Sequence, residues 1–235
     1  MTSPPRMAIS WSAGKDSWLA LVREREAGHR VDTFVTMCEP DGASKSHALP
    51  PALVDAQVRA LGGTPRPVRV PEGEYAARFD ACLRDLVAQG HTHMIFGDID
   101  LQAHRDWLEP ACARAGLVAR FPLWGEPRPA LAKELLARGV QARVVCVDTR
   151  WLDASFCGVP YDRAFLDRLP AGACPCGEDG EFHTFVTGGP GFDQPLRVRD
   201  VGQRRVRSRP PFAPTEFVFQ VLALDPPAAR GGAPR

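Results

Sequence analysis

The residues with the clearest chemical potential form a loop near the start of the chain, Ser12-Ala-Gly-Lys-Asp-Ser17. The loop follows a short apolar segment, residues 7–11, and precedes a helical pattern over residues 18–27 that ends at Gly28. Backbone N–H groups at a helix start, together with the positive end of the helix dipole, bind anions. Lys15 adds a positive charge and the two serines add hydroxyl donors, so the loop predicts a phosphate site.

Two familiar phosphate-binding motifs do not fit this loop. The motif GxxxxGK[ST] requires Ser or Thr after the lysine, but Asp16 follows Lys15, and Ile9 stands where the first glycine should be. The dinucleotide motif GxGxxG is absent. The alternative interpretation is a helix N-terminus with an incidental lysine. Lysine is rare here, since only Lys15, Lys45 and Lys133 are lysines among 29 basic residues, and this rarity favours a function for Lys15.

A second motif, Gly97-Asp-Ile-Asp-Leu-Gln-Ala-His-Arg-Asp-Trp107, begins at the end of a buried-looking strand over residues 93–97. Asp98 then faces the expected cleft, where its carboxylate could orient a nucleotide or Mg²⁺. The alternative is a helix N-cap or a hydrogen bond within the loop. Arg105, on the next helix with His104, could bind a phosphate or carboxylate through two hydrogen bonds. The alternative is a solvated helix face with Trp107 packed in the core.

A third motif, Cys176-Gly-Glu-Asp-Gly-Glu-Phe-His-Thr184, places two carboxylates and an imidazole within eight positions. Glu178 and Glu181 could recognise a cationic substrate, and a carboxylate near His183 could accept a proton from ammonium. A zinc site formed by Cys174, Cys176 and His183 is one alternative, although the Cys-x-Cys spacing is unusual for zinc. A tight turn that joins the strands of a hairpin is the other.

The elements around these motifs alternate between short apolar strands and amphipathic helices, which predicts an α/β fold with a doubly wound, mostly parallel sheet. Helices are expected over residues 51–61, 75–89, 103–115, 130–138 and 161–169, and strands over residues 31–37, 66–70, 93–97, 142–147, 182–187, 196–198 and 216–224. Ligands of such sheets bind at the carboxyl ends of the strands, where the strand order reverses. We expect an ATP-binding α/β domain over residues 1–150, a smaller α+β substrate-binding portion over 151–224 and a disordered tail over 225–235.

Composition narrows the function classes. The formal net charge of +1 gives no general argument for a nucleic-acid partner, and no stretch has the roughly 18 apolar residues of a membrane helix. Seven cysteines without an export signal predict a reduced, cytoplasmic protein with no membrane association. The C-terminal region is locally basic and could bind an acidic partner, but a charged β-hairpin is favoured; its arginines are Arg197, Arg199, Arg204, Arg205, Arg207 and Arg209.

The three motifs in this order resemble those of the diphthine–ammonia ligases, with Phe121-Pro-Leu-Trp124 as a further match. These enzymes are a branch of the PP-loop ATP pyrophosphatases in the adenine nucleotide alpha hydrolase superfamily, whose fold is HUP-like. The resemblance runs from about residue 7 to residue 192. Ala13 replaces the first glycine of the usual SGGKDS loop, which is tolerable where the φ of residue 13 is negative, and Asp106 replaces the usual Glu.

The resemblance implies an ATP-dependent, AMP-forming ligase that adenylates a carboxylate and transfers ammonia to it, with ATP and Mg²⁺ bound. The implied ATP-binding residues are Ser10, Ser12, Ala13, Gly14, Lys15, Asp16, Ser17, Gly97 and Asp98. Of these, Lys15, Asp16 and Asp98 would be catalytic, with Asp16 and Asp98 as Mg²⁺ ligands; Asp16 could instead position Lys15. The implied substrate-binding residues are His47, His104, Arg105, Cys176, Gly177, Glu178, Glu181 and His183.

Free ammonia would be the nitrogen source, since no glutaminase-like segment is visible. The acceptor would be diphthine on an elongation factor in an archaeal or eukaryotic host, and another carboxylate elsewhere. The sequence leaves open whether the protein forms a homodimer. Two other functions remain as alternatives. One is a tRNA-thiolating PP-loop enzyme that uses Cys174 and Cys176, and the other is a non-catalytic adenine-nucleotide sensor.

Overall fold

The computed structural model describes residues 5–45, 47–208 and 215–225. Most of the tail predicted to be disordered, residues 226–235, and Arg209 of the basic region lie outside the described residues. The first part of the described chain contains β1 (Arg6–Ser10), α1 (Lys15–Glu26), β2 (Arg30–Cys38), α2 (Pro51–Ala60), β3 (Thr64–Arg69), α3 (Tyr75–Ala88), β4 (His93–Ile95), α4 (Gln102–Ala115) and β5 (Val118–Arg120). The five strands form one parallel sheet in the order β3-β2-β1-β4-β5, which confirms the predicted α/β class.

Helices cover both faces of this sheet, and alternate side chains of a strand pack against different helices. In β1, Met7 and Ile9 pack into a core that includes apolar residues of α1 and α2. Ala8 lies between them and packs on the other face, against a second core built from α3 and α4. Successive residues of a strand point to opposite faces, so a strand that is buried at every position is covered on both sides.

The second part of the chain contains α5 (Arg128–Ala137), β6 (Gln141–Asp148), a 3₁₀ turn (Ala154–Phe156), α6 (Arg163–Arg168), β7 (Phe182–Gly188), β8 (Val198–Arg207) and β9 (Glu216–Leu224). Its strands form a separate antiparallel sheet in the order β7-β6-β9-β8. The expectation that residues 142–147 continue the parallel sheet is therefore wrong. The division into domains at residue 150 stays a prediction, although the change of sheet comes before it, between β5 and β6.

The basic region forms the predicted charged hairpin. β8 pairs with β9 alone at the edge of the second sheet, and most of its residues are exposed. Glu216 forms ion pairs with Arg205 and Arg207, and Arg204 lies over the ring of Phe219. Of the strand expected at residues 196–198, only Val198 lies in a strand, and it begins the much longer β8. The rest of β8 was missed because a solvated edge strand shows no apolar alternation.

The order of the parallel strands places the predicted ligand site. The chain passes from β1 to one side of the sheet and later returns to β4 on the other side, so the strand order reverses between these neighbours. The loops that follow β1 and β4 therefore meet at one edge of the sheet, as expected for a doubly wound fold. Among the helices that the structure describes, none combines the length and apolarity needed to cross a bilayer.

Candidate functional site

A cavity of about 730 Å³ opens at this edge of the sheet, and the second part of the chain forms its opposite wall. Most of the predicted site residues line it: Ser10, Ser12, Lys15, Asp16, Ser17, His47, Gly97, Asp98, His104, Cys176, Gly177, Glu178 and His183. Four do not line it, namely Ala13, Gly14, Arg105 and Glu181. The sequence motifs before and after β6 thus converge on one space.

The loop at residues 12–17, the predicted phosphate loop, is fixed by hydrogen bonds to the elements around it. Gly14 precedes the first turn of α1 and provides no side-chain cap, so the first N–H groups of the helix have no intrahelical acceptor. The N–H of Lys15 donates to Thr184 Oγ1 at 3.1 Å, which ties the loop to β7. Ser12 Oγ lies 3.1 Å from Ser17 Oγ, and both serines line the cavity.

The backbone conformation of Ala13 differs from the one that the sequence comparison required. Its φ is +69°, so the residue occupies the left-handed region and not the negative φ at which the extra methyl group is tolerable. A non-glycine residue in this region costs about 1–2 kcal/mol. The carbonyl of Ala13 accepts hydrogen bonds from the N–H of Val186 at 3.0 Å and from Gln57 Nε2 at 3.0 Å. These bonds to neighbouring elements hold the loop in a conformation that its sequence disfavours.

Gln57 of α2, which the motif analysis missed, is the centre of this support. Its side chain is fully buried. Its Oε1 accepts a hydrogen bond from Trp11 Nε1 at 2.8 Å, and its Nε2 donates to the carbonyls of Ala13 and Val186. A single amide therefore joins the end of β1, the phosphate loop and β7. The available signal was a lone polar residue on the apolar face of a helix.

Replacement of Gln57 by leucine is expected to lower the free energy of unfolding by about 3 kcal/mol, because it leaves buried polar groups of Trp11 and Val186 without partners. Urea denaturation measures this change. The matched control is Gln89→Leu, since Gln89 is exposed and its side chain makes none of the described hydrogen bonds. A loss below about 1 kcal/mol in Gln57→Leu would contradict the proposed support.

Lys15 is almost fully buried under the third motif. Its Nζ lies 2.7 Å from Asp16 Oδ2 and donates a short hydrogen bond to the carbonyl of Cys176. Burial alone would lower the pKa of Lys15, but nearby acidic groups, above all Asp16, outweigh burial and raise the pKa above its ordinary value. Lys15 therefore carries a permanent positive charge inside the cavity, and Asp16 is placed to position it.

Gly97 allows the close approach of the second motif to the phosphate loop. A Cβ at residue 97 would lie 2.8 Å from the backbone nitrogen of Ser17 and 3.0 Å from the carbonyl carbon of Asp16. The next residue, Asp98, accepts a hydrogen bond from His104 Nδ1 at 2.8 Å. The N-cap alternative for Asp98 is not observed, since Leu101 occupies that position of α4 and makes no side-chain cap bond.

The segment from Cys174 to Glu181 forms a turn, and Glu181 stabilises it from within. Glu181 is fully buried, and its carboxylate accepts the N–H of Cys174 at 2.6 Å and that of Asp179 at 3.0 Å. This explains why Glu181, predicted to bind substrate, does not reach the cavity. The turn is fixed to the wall of the cavity by Arg128, which binds Asp100 and Asp179.

The zinc alternative gains no support from this geometry. Within the part of the chain that the structure describes, His183 does not group with the two cysteines around a common point. The one group of metal-ligand atoms within 4.8 Å of one another consists of Cys174, Asp179 and Glu181. Its carboxylates already bind backbone N–H groups or Arg128. The turn is therefore explained by hydrogen bonds alone.

Besides Lys15, the cavity groups Glu178, His183 and His47 have shifted pKa values. Burial, followed by the charge of Asp16, raises the pKa of Glu178 to about 8. Burial, followed by the charge of Lys15, lowers the pKa of His183 to about 4. Burial, followed by His183 and Lys15, holds the pKa of His47 well below its ordinary value. Near neutral pH, both imidazoles are therefore neutral and Glu178 can exchange a proton.

An aromatic wall that the motifs did not predict closes the far side of the cavity. Tyr75 and Phe79 of α3 pack against Trp107 of α4, and 38% of the Trp107 side chain remains exposed. The alternative interpretation, with Trp107 packed in the core, is thus not observed. Arg105, on the same helix, lies outside the cavity, where it binds Glu109 and stacks over Trp124.

Comparisons with known proteins agree with this arrangement. Residues 5–119 match the model of the diphthamide synthase N-terminal domain, and residues 128–209 match that of the diphthamide synthase C-terminal domain. No curated protein matches the chain. A crystal structure described as a predicted subunit of tRNA methyltransferase from Methanocaldococcus jannaschii is similar at 15% identity, with a TM-score of 0.43 over 79% of this chain and 98% of that one.

Proposed function

Because the chain belongs to the diphthamide synthase family, which implies an enzyme of the ATP pyrophosphatase type, we propose that it is an AMP-forming amide ligase. On this proposal, ATP adenylates a carboxylate and ammonia then displaces AMP. One observation carries the proposal above all. The phosphate loop with buried Lys15, from the N-terminal family domain, faces Glu178 and His183, from the C-terminal family domain, across one cavity.

The donor groups on the loop side suit the first step. The substrate carboxylate attacks the α-phosphate of ATP, the bond to the β-phosphate breaks, and pyrophosphate leaves. On this proposal, the charge on the leaving group is stabilised by the first-turn N–H groups of α1, the hydroxyls of Ser12 and Ser17, and Lys15, all from segments that line the cavity. Charge stabilisation and positioning are sufficient for such a transfer.

Two carboxylates of the cavity fit a magnesium ion. Asp16 and Asp98 both line the space, and their side chains keep 24% and 20% of their surface exposed. Each accepts a hydrogen bond from a neighbouring side chain, Asp16 from Lys15 and Asp98 from His104. Carboxylate oxygens are the ligands that Mg²⁺ prefers, and bound Mg²⁺ would neutralise phosphate charge.

Glu178 suits the second step. Ammonia attacks the carbonyl of the acyl-adenylate, AMP leaves with the bonding electrons, and the new amide loses a proton. A carboxylate with a pKa of about 8 at the cavity wall can accept that proton near neutral pH. We propose diphthine as the acceptor where the host makes it and another carboxylate elsewhere, with free ammonia as the nitrogen source.

The test is release of AMP and pyrophosphate from ATP and Mg²⁺ with ¹⁵N-ammonium, with and without an extract of the source organism. We expect equal amounts of both products, dependent on ammonium and extract, and ¹⁵N in an amide. Formation of ADP, or ATP binding without AMP release in any fraction, would refute the ligase and favour a sensor.

A double variant, Cys174→Ala with Cys176→Ala, distinguishes the proposed ligase from the alternative of a tRNA-thiolating enzyme. A ligase retains most of its AMP release in this variant, because neither sulfur takes part in the proposed steps. A thiolating enzyme loses all of its activity. The double variant must keep the wild-type circular dichroism spectrum, since both side chains are buried in the turn.

A further inference from the structure

A stacked pair of histidines, of which His47 is buried and His183 partly buried, stands against the phosphate loop. His47 comes from the segment between β2 and α2, and His183 comes from β7. Their rings stack with centroids 4.7 Å apart and planes inclined by 29°. Both residues line the cavity, and only 8% of His47 is exposed. The two imidazoles thus form one unit at the junction of the two family domains.

The pair is in direct contact with the anion-binding backbone. A Cβ at Gly14 would lie 2.7 Å from His47 Cε1, so no side chain separates the ring from the loop. His47 Nδ1 is buried and has no hydrogen-bond partner among the described residues. An unpaired buried polar atom costs about 1–3 kcal/mol. A ligand bound in the phosphate loop would supply the missing partner.

The electrostatic surroundings explain why the pair is neutral without a ligand. Burial and the positive charge of Lys15 both disfavour an imidazolium here. The charged or titratable groups around the pair come from four segments that line the cavity: Lys15 and Asp16, Cys176 and Glu178, Lys45 with its partner Glu39, and Asp98 with His104. A bound polyphosphate would add several negative charges next to Lys15, and these charges would favour the protonated form of the imidazoles.

We propose that the His47–His183 pair is a proton-dependent phosphate ligand, which takes up one proton when the pyrophosphate end of the nucleotide binds and donates it in a hydrogen bond. The inference rests on the proposed function. The proton comes from solvent and returns there when pyrophosphate leaves. One proton is expected for the pair and not two, because two stacked imidazolium rings would repel each other.

The sign of the resulting pH dependence follows from linkage. A group that gains proton affinity in the complex makes the ligand bind more tightly as the pH falls through the pKa of the complex. A rise of one unit in this pKa corresponds to a tenfold gain in affinity at low pH. Glu178 can also take up a proton, so the total proton count does not identify the group. A signal from the rings themselves is needed.

The experiment is NMR titration of the imidazole Cε1–H signals in the full chain, from pH 5 to 8, with and without inorganic pyrophosphate and in the absence of Mg²⁺. The chain has six histidines, and the variants His47→Gln and His183→Gln assign the two signals. His93, at the opposite end of β4 from the cavity, serves as the internal reference. Without pyrophosphate, we expect little titration of the pair in this range, since the pKa of His183 is about 4. Pyrophosphate should raise the apparent pKa of the pair to about 6.5, the ordinary value of an imidazole, and leave His93 unchanged.

Affinity measurements complete the test, because pyrophosphate itself titrates in this range. The wild-type chain should gain about tenfold more affinity between pH 7.5 and 5.5 than either glutamine variant does. Binding of pyrophosphate without a shift of the pair's signals, or an equal gain in the variants, would overturn the inference and leave the proposed function intact. Failure of pyrophosphate to bind at any pH would refute the phosphate loop itself, and the proposed function with it.

Discussion

The variant Gly97→Ala is expected to lose ATP binding by about 100-fold or more and to lower the free energy of unfolding by about 1–3 kcal/mol. The added Cβ would lie 2.8 Å from the nitrogen and 3.0 Å from the Cα of Ser17, and 3.0 Å from the carbonyl carbon of Asp16. All three are backbone atoms of the first turn of α1, so they cannot move away by a side-chain rotation. The phosphate loop and the end of β4 must therefore separate.

Two other glycines serve as controls for this prediction. In Gly14→Ala, the closest contact is 2.7 Å to a side-chain atom, Cε1 of His47, and the closest backbone atom, the carbonyl oxygen of Thr184, lies at 3.3 Å, so the loss of stability should be smaller. In Gly125→Ala, no atom lies within 4 Å of the new Cβ, and the φ of +73° costs about 1–2 kcal/mol without an effect on ATP binding. Calorimetric ATP binding and urea denaturation measure both quantities. Wild-type affinity in Gly97→Ala would contradict the geometry.

The local part of this site was predictable from sequence. A phosphate loop is defined by consecutive residues, and its position between a strand and a helix follows from nearby apolar spacing. Asp98 could be placed in the same way, because it directly follows a strand whose neighbours in the sheet were predictable. Residues of the loop and Asp98 both line the cavity.

The contacts made across the two parts of the chain were not predictable. β6 has the apolar run of a buried strand in either sheet, and only its pairing with β7 and β9 decides between them. His47 and His183 are 136 positions apart, and nothing in their local sequences predicts that they stack. Gln57 likewise carries no motif, and its importance arises from the three separate elements that it joins.

The geometry of α4 could have corrected the prediction that Arg105 binds substrate. On α4, His104 is separated from Trp107 by three positions and from Leu108 by four, so the three side chains share one face. All three line the cavity. Arg105 is two positions from Trp107, which places it about 200° away around the helix. Arg105 and Trp107 belong to one sequence motif, but the helical period places their side chains on different faces of α4.

The variant Lys15→Met is expected to reduce AMP and pyrophosphate release by about 10²–10³-fold. Lys15 carries a buried charge on the cavity wall, and methionine keeps much of the apolar stem while it removes that charge. Lys133→Met is the matched control, since Lys133 is exposed on α5 and does not line the cavity. Turnover assays measure the loss, and thermal denaturation verifies the fold. Wild-type turnover in a folded Lys15→Met variant would refute the proposed role.

The variant Asp16→Asn distinguishes the two roles proposed for Asp16, which are binding Mg²⁺ and positioning Lys15. If Asp16 binds Mg²⁺, Asp16→Asn should weaken ATP binding in the presence of Mg²⁺ and leave Mg²⁺-free binding unchanged. If Asp16 positions Lys15, the effect should be the same with and without Mg²⁺. Because Asp16 is the chief group that raises the pKa of Lys15 against burial, its removal lowers that pKa. The variant's turnover should then decline at a lower alkaline pH than that of the wild-type chain, and an unchanged pH profile would contradict the positioning role.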